Sequence, residues 1–135
     1  MKELTVPARL ENVDLVTDFV DELIEQTECP RKIIIKLNIA IDELFSNIAR
    51  YAYGEGEGDA TIGVEIDETA RVIALTFTDS GIPYNPLKTA TPDTGLSAED
   101  REIGGLGIFM VKKSMDEMIY DYKGGKNILK VKKYY

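Results

Sequence analysis

The sequence predicts an α+β fold, a two-layer α/β sandwich in which helices cover one face of a mixed, mostly antiparallel sheet. Near the amino end, apolar residues recur at helical spacing in two long segments. Later segments alternate apolar and polar residues and fall into hairpins around Asp67-Glu68-Thr69 and Gly124-Gly125-Lys126. The resulting order, β-α-α-β-β-loop-α-β-β, sets strands beside strands, which favours antiparallel pairing.

Residues 3–8 alternate and form a short strand ending at Pro7. Residues 11–27 place Val13, Val16, Phe19, Val20, Leu23 and Ile24 at helical spacing, with Asn12 as N-cap. Pro30 opens a second helix that runs to about Tyr53 and stops before Gly54. Gly54 to Asp59 is a flexible connection, and residues 60–67 and 71–78 form a hairpin. Residues 87–103 carry Pro, Thr, Asp and Gly with few apolar anchors, and read as a mobile segment, functional or disordered, with one helical turn capped by Ser97. A helix over 105–117 and strands over 118–123 and 127–133 complete the chain.

A length of 135 residues suits one domain, and roughly two-thirds of its unfolded surface can be buried. The formal net charge of −8 argues against nucleic acid as a partner. The basic tail Lys130-Val131-Lys132-Lys133 alternates as an edge strand would, where lysines block aggregation. With no histidine, Ser-His-Asp triads, histidine-ligated zinc and phosphoaccepting histidine are excluded. Cys29 stands alone, which excludes an internal disulfide and fits a reducing cytoplasm; it reads as an inert residue near a helix–helix junction. No apolar run is long enough to span a membrane, and the amino terminus is too polar for a signal peptide.

On the second helix, stepping about 100° per residue from Ile41 gathers Ile34, Leu37, Leu44, Phe45, Ile48 and Ala52 into a core stripe. Lys36, Glu43, Asn47 and Arg50 fall on the opposite side. Glu43 and Asn47 stand one turn apart, so both side chains reach one region. Two readings stand: a solvated face, or a general base beside a carboxamide that ligates a hard cation arriving with phosphate.

Asp79 ends an apolar strand and begins Asp79-Ser80-Gly81-Ile82-Pro83-Tyr84-Asn85-Pro86. It is either the start of an Asx-turn or an acceptor for an exocyclic amine. In the second case Gly81 lets the backbone approach the ring, and Pro83 and Pro86 stiffen the wall. Gly104-Gly105-Leu106-Gly107 precedes a helix and is either a hinge or a phosphate cradle at the helix start. Neither a Walker motif nor a dinucleotide fingerprint occurs.

Taken together, these pieces resemble the GHKL ATPase superfamily of gyrase, histidine kinase and MutL-type proteins. Glu43-Leu44-Phe45-Ser46-Asn47 is similar to its N box, Asp79-Ser80-Gly81-Ile82-Pro83 to its first glycine box, and Gly104-Gly105-Leu106-Gly107-Ile108 to its second. The chain looks most like the bacterial anti-sigma-factor serine/threonine kinases, over nearly its whole length. The resemblance implies a single ATP-binding domain over residues 1–135, with residues 87–103 as an ATP lid. It implies Glu43 as general base, Asn47 as ligand of Mg2+, Asp79 as adenine reader with Gly81 beside it, and Gly104, Gly105 and Gly107 as phosphate contacts. ATP and Mg2+ are the implied cofactors. The implied partners are a STAS-type anti-anti-sigma protein, a sigma factor and a second copy of the chain. One departure is Tyr51, where many relatives carry histidine. Arg50 and the lid residue Arg101 receive no role. The alternative is a regulatory module in which ATP occupancy selects the partner with little turnover. A nucleotide-free scaffold is disfavoured by the intact Glu43, Asn47 and Asp79.

Overall fold

Strand β1 (Lys2–Pro7) leads through a 3-10 turn (Leu10–Asn12) into helix α1 (Val13–Ile24). Helix α2 (Arg31–Tyr51) follows, then strands β2 (Asp59–Asp67) and β3 (Val72–Asp79) and a 3-10 turn at Pro86–Lys88. Helix α3 (Leu106–Ser114) and strands β4 (Glu117–Lys123) and β5 (Lys126–Tyr134) complete the computed structural model, which describes residues 1–88 and 106–135. The expected helical turn at Ser97 and residues 89–105, including most of the expected lid, lie outside the described residues.

The strands form one sheet in the order β1-β2-β3-β5-β4, and each of its pairings is antiparallel. β3 is therefore central, and β5 lies between β3 and β4. This corrects the edge placement expected for the Lys130 to Lys133 segment. Its alternation records one buried face, not an open edge: Asn127, Leu129 and Val131 point to the helices, while Lys130 and Lys132 lie on the open face. There they meet Glu65 at 3.8 Å and Glu117 at 3.9 Å, contacts of small net value at an exposed surface. The β4–β5 hairpin closes on Gly124 and Gly125, at φ 61° and 76°. A two-residue turn with both residues left-handed matches the strand twist and sets the register of β5.

The core joins Val16, Val20 and Ile24 of α1, Leu37, Ile41 and Phe45 of α2, and Ile62, Leu75, Phe77 and Val131 of the sheet. The α2 stripe lies as expected, with Ala40 added and Ile48 only half-buried. α2 ends at Tyr51 rather than Tyr53, and α1 is shorter at both ends than the apolar pattern suggested. Asn12 occupies the N-cap position but its side chain does not cap. Its amide donates to the Pro7 carbonyl at 2.9 Å, because the 3-10 turn already carries the chain into α1. Burial pushes the Cys29 thiol up, so little thiolate is present and the residue is chemically quiet.

One polar pair sits between α1 and α2. Asn38 donates to Asp21 Oδ2 at 3.4 Å, while Asp21 Oδ1 and Asn38 Oδ1 are buried without a hydrogen-bond partner. Burial pushes the Asp21 carboxyl above its ordinary 3.8, against the lowering effect of the Asn38 bond. A folded state that holds the proton more tightly loses stability as pH rises through the window above that ordinary value. Asp21→Asn supplies a donor for the orphaned Asn38 oxygen. Urea unfolding at neutral pH should show it stabilised by about 1 kcal/mol. The gain should shrink in acid, where Asp21 carries its own proton.

Candidate functional site

Between the carboxyl half of α2 and the helix-side face of β3 and β5 lies a cleft of about 180 Å3. That is the scale of a single ring system, not of a whole drug-sized ligand. Leu44, Ile48 and Ala52 of α2 form one wall and Phe77 and Leu129 the floor. Ile82, Pro83, Tyr84 and Pro86 form the outer wall. Asn47, Asp79 and Asn127 supply polar groups to a lining that is otherwise mostly apolar and aromatic.

Asp79 and Asn127 are direct partners in the β3–β5 register. Each is 7% exposed, and among the described residues they are the buried polar side chains of the fold. Asp79 Oδ1 accepts the Gly81 N–H at 2.9 Å, closing the Asx-turn, and also the Asn127 amide at 2.9 Å. Both bonds converge on one oxygen, and no hydrogen bond joins Oδ2 to another described residue. The two sequence readings of Asp79 are thus compatible: one oxygen makes the turn and the other is left over.

Gly81 does not line the cleft. A Cβ there would come within 2.1 Å of the Ala52 carbonyl, which also accepts the Ile82 N–H at 2.7 Å. The glycine is required because the turn presses against the end of α2. Tyr53 braces the same turn: its hydroxyl accepts the Ser80 N–H at 2.9 Å and donates to the Asp59 carbonyl. Burial pushes its phenol up, which keeps the donor in place.

Asn47 faces the cleft, and its carboxamide makes no hydrogen bond to another described residue. Glu43, one turn earlier, does not line the cleft. Its carboxylate lies against Gly107 in the first turn of α3, where a Cβ would meet Glu43 Oε2 at 2.0 Å. A negative group beside free N–H groups at a helix start is favourable. The structure therefore brings Asn47 and Asp79 together and sets Glu43 beside Gly107. Gly104 and Gly105 lie outside the described residues.

Asn127 and Tyr120 were not singled out from sequence. Asn127 occupies an inward position of β5, in register with Leu129 and Val131, so a carboxamide at that place was a legible sign of a buried polar contact. Tyr120 donates to Asn127 Oδ1, and burial pushes its phenol up.

A ring-sized recess with a buried acceptor lies beside the central strand, and the sequence itself matches a known family. The chain belongs to the histidine kinase-like ATPase domain family, which matches residues 6–133. The GHKL resemblance is thereby borne out. Among its relatives is the serine/threonine-protein kinase BtrW of Bordetella bronchiseptica, 29% identical over 69% of this chain and 65% of that protein. The serine-protein kinase RsbW of Listeria monocytogenes is 28% identical over 96% of this chain and 84% of its own. RsbW of Staphylococcus aureus is 26% identical over 90% of this chain and 80% of its own.

The contact between Glu43 and Gly107 is open to direct measurement. Gly107→Ala improves helix propensity by about 1 kcal/mol but displaces the Glu43 carboxylate. A double-mutant cycle with Glu43→Ala, read by thermal unfolding, should give a coupling of about 0.5–1 kcal/mol, with Gly107→Ala better tolerated once the carboxylate is gone.

Proposed function

We propose that this protein is an anti-sigma-factor-type serine/threonine kinase that binds Mg-ATP and phosphorylates a STAS-type anti-anti-sigma partner. In this reading residues 1–135 act as one ATP-binding domain, with residues 87–103 as its lid. The observation that carries it is the meeting in one cleft of a buried carboxylate, Asp79, and an unengaged carboxamide, Asn47, on the helix that also bears Glu43. The kinase names of the relatives support the same direction.

The donor set fits the groups implied. Asp79 Oδ2 accepts the adenine amine, and the apolar walls enclose the ring. Asn47 offers one carboxamide oxygen, which suits a small hard cation that takes its remaining ligands from phosphate and water. Among the described residues no cluster of acidic or thiol side chains holds a metal by itself. Bound with ATP, Mg2+ supplies neutralisation of phosphate charge and orientation of the γ-phosphoryl group. Gly107, with Gly104 and Gly105, offers backbone N–H groups to phosphate. Glu43 accepts the proton of the partner's hydroxyl as its oxygen bonds to phosphorus and the bond to ADP breaks. A homodimer that engages a sigma factor in the cytoplasm belongs to the same reading.

A second reading is a module in which ATP occupancy selects the partner and turnover is slight.

Intact-mass measurement after incubation with Mg-ATP and a candidate STAS partner tests both. The partner should gain one phosphoryl group with wild type and do so at least about 100-fold more slowly with Glu43→Gln. Equal rates would remove Glu43 as base. ATP binding without transfer would favour the second reading. Calorimetry should show Asp79→Asn weakening ATP by about tenfold or more, and unchanged affinity would remove the adenine assignment.

A further inference from the structure

The carboxamide of Asn127 has every bonding position filled. Its Nδ2 group donates to Asp79 Oδ1 at 2.9 Å and to the Ile82 carbonyl at 3.0 Å. Its Oδ1 accepts the Tyr84 backbone N–H at 3.0 Å and the Tyr120 hydroxyl. An amide offers two N–H donors and two lone pairs on oxygen, so nothing is left over for a ligand. The neighbours also dictate its orientation. A backbone N–H only donates and a carbonyl only accepts, so a flipped amide would set like against like at Tyr84 and Ile82.

We propose that Asn127 is a positioning residue for nucleobase selection, holding the Asp79 carboxylate at one rotation so that the cleft prefers a purine with an amine at its sixth position over one with a carbonyl there. The inference rests on the adenine-nucleotide reading and deepens it.

A carboxylate at the end of a strand rotates freely about its last torsion, which has a broad energy profile. The Gly81 N–H is a local restraint that belongs to the turn itself. Asn127 reaches Asp79 from the neighbouring strand and is buried, so it ties the carboxylate to the frame of the sheet. With Oδ1 held by both donors, Oδ2 is the oxygen a base would meet. An amine donates to it, whereas a carbonyl sets acceptor against acceptor. A site built to pair a polar group rejects the analogue that cannot complete the pair. The same carboxamide holds the backbone at Ile82 and Tyr84, so the reading group and the outer wall share one anchor.

The test titrates the full chain with ATP and with inosine triphosphate, which carries the carbonyl in place of the amine. Wild type should prefer ATP by about tenfold or more. In Asn127→Ser the preference should fall below about threefold, because the freed carboxylate can turn away from the inosine carbonyl and accept the neighbouring ring N–H instead. A purely structural role would weaken both nucleotides alike and leave the ratio untouched. Tyr120→Phe removes a single bond to the carboxamide and should give an intermediate ratio, which keeps the question decidable if Asn127→Ser does not fold. A wild-type ratio in the variants that fold overturns the positioning role and leaves the adenine reading standing. Wild-type protein that binds no ATP, or binds both nucleotides equally, overturns both.

Discussion

A carboxylate buried at the end of the central strand is the constraint around which this molecule is organised. Asp79 lies where an unpaired charge would be costly, and the β3–β5 register answers by placing Asn127 directly opposite. From that pair the rest of the cleft follows. The Asx-turn into Gly81 closes on the same oxygen, the outer wall hangs from the same carboxamide, and Tyr120 completes it. The end of α2 then seals the arrangement, because its Ala52 carbonyl takes the Ile82 N–H where Gly81 leaves room.

A second charge relation lies one turn up α2. Glu43 sits beside the start of α3, the end of a helix that favours anions. A phosphate chain arriving at the same helix start would meet a carboxylate already in place. Like charges at that distance repel unless a cation lies between them. An anion entering this corner would therefore be felt by the acidic side chain for which Gly107 leaves room.

Much of this was legible in the sequence, and the rest failed for definite reasons. The α2 stripe followed from period alone, since burial of Leu37, Ile41, Leu44 and Phe45 needs only one covered face. Asn47 drew notice because it stands one turn from Glu43 on the polar side of α2, and Asp79 because a carboxylate ends an apolar strand. The place of β5 was misjudged because alternation reports which face is buried and is silent about which strands flank it. The inward place of Asn127 was readable from its alternation with Leu129 and Val131, but its partner was not, because only the β3–β5 register sets it against Asp79. The close approach of Gly81 to the Ala52 carbonyl is likewise absent from the local pattern. Contacts of this kind depend on pairs far apart in sequence, which a local pattern does not carry.

The sheet order has a consequence for how the chain is made. β5 is the last of the described strands yet lies inside the sheet, and Asp79 waits 48 residues for its partner. Synthesis delivers the amino end first. Until β5 emerges, β3 is an edge strand, with an unpaired backbone and an unpaired carboxylate at its tip. A nascent chain that stalled before the β4–β5 hairpin would therefore present the apolar β3 as a template for other chains. Ribosomal pausing between β3 and β5 is then a hazard of this topology, and insertion of the β4–β5 hairpin is the step that ends it.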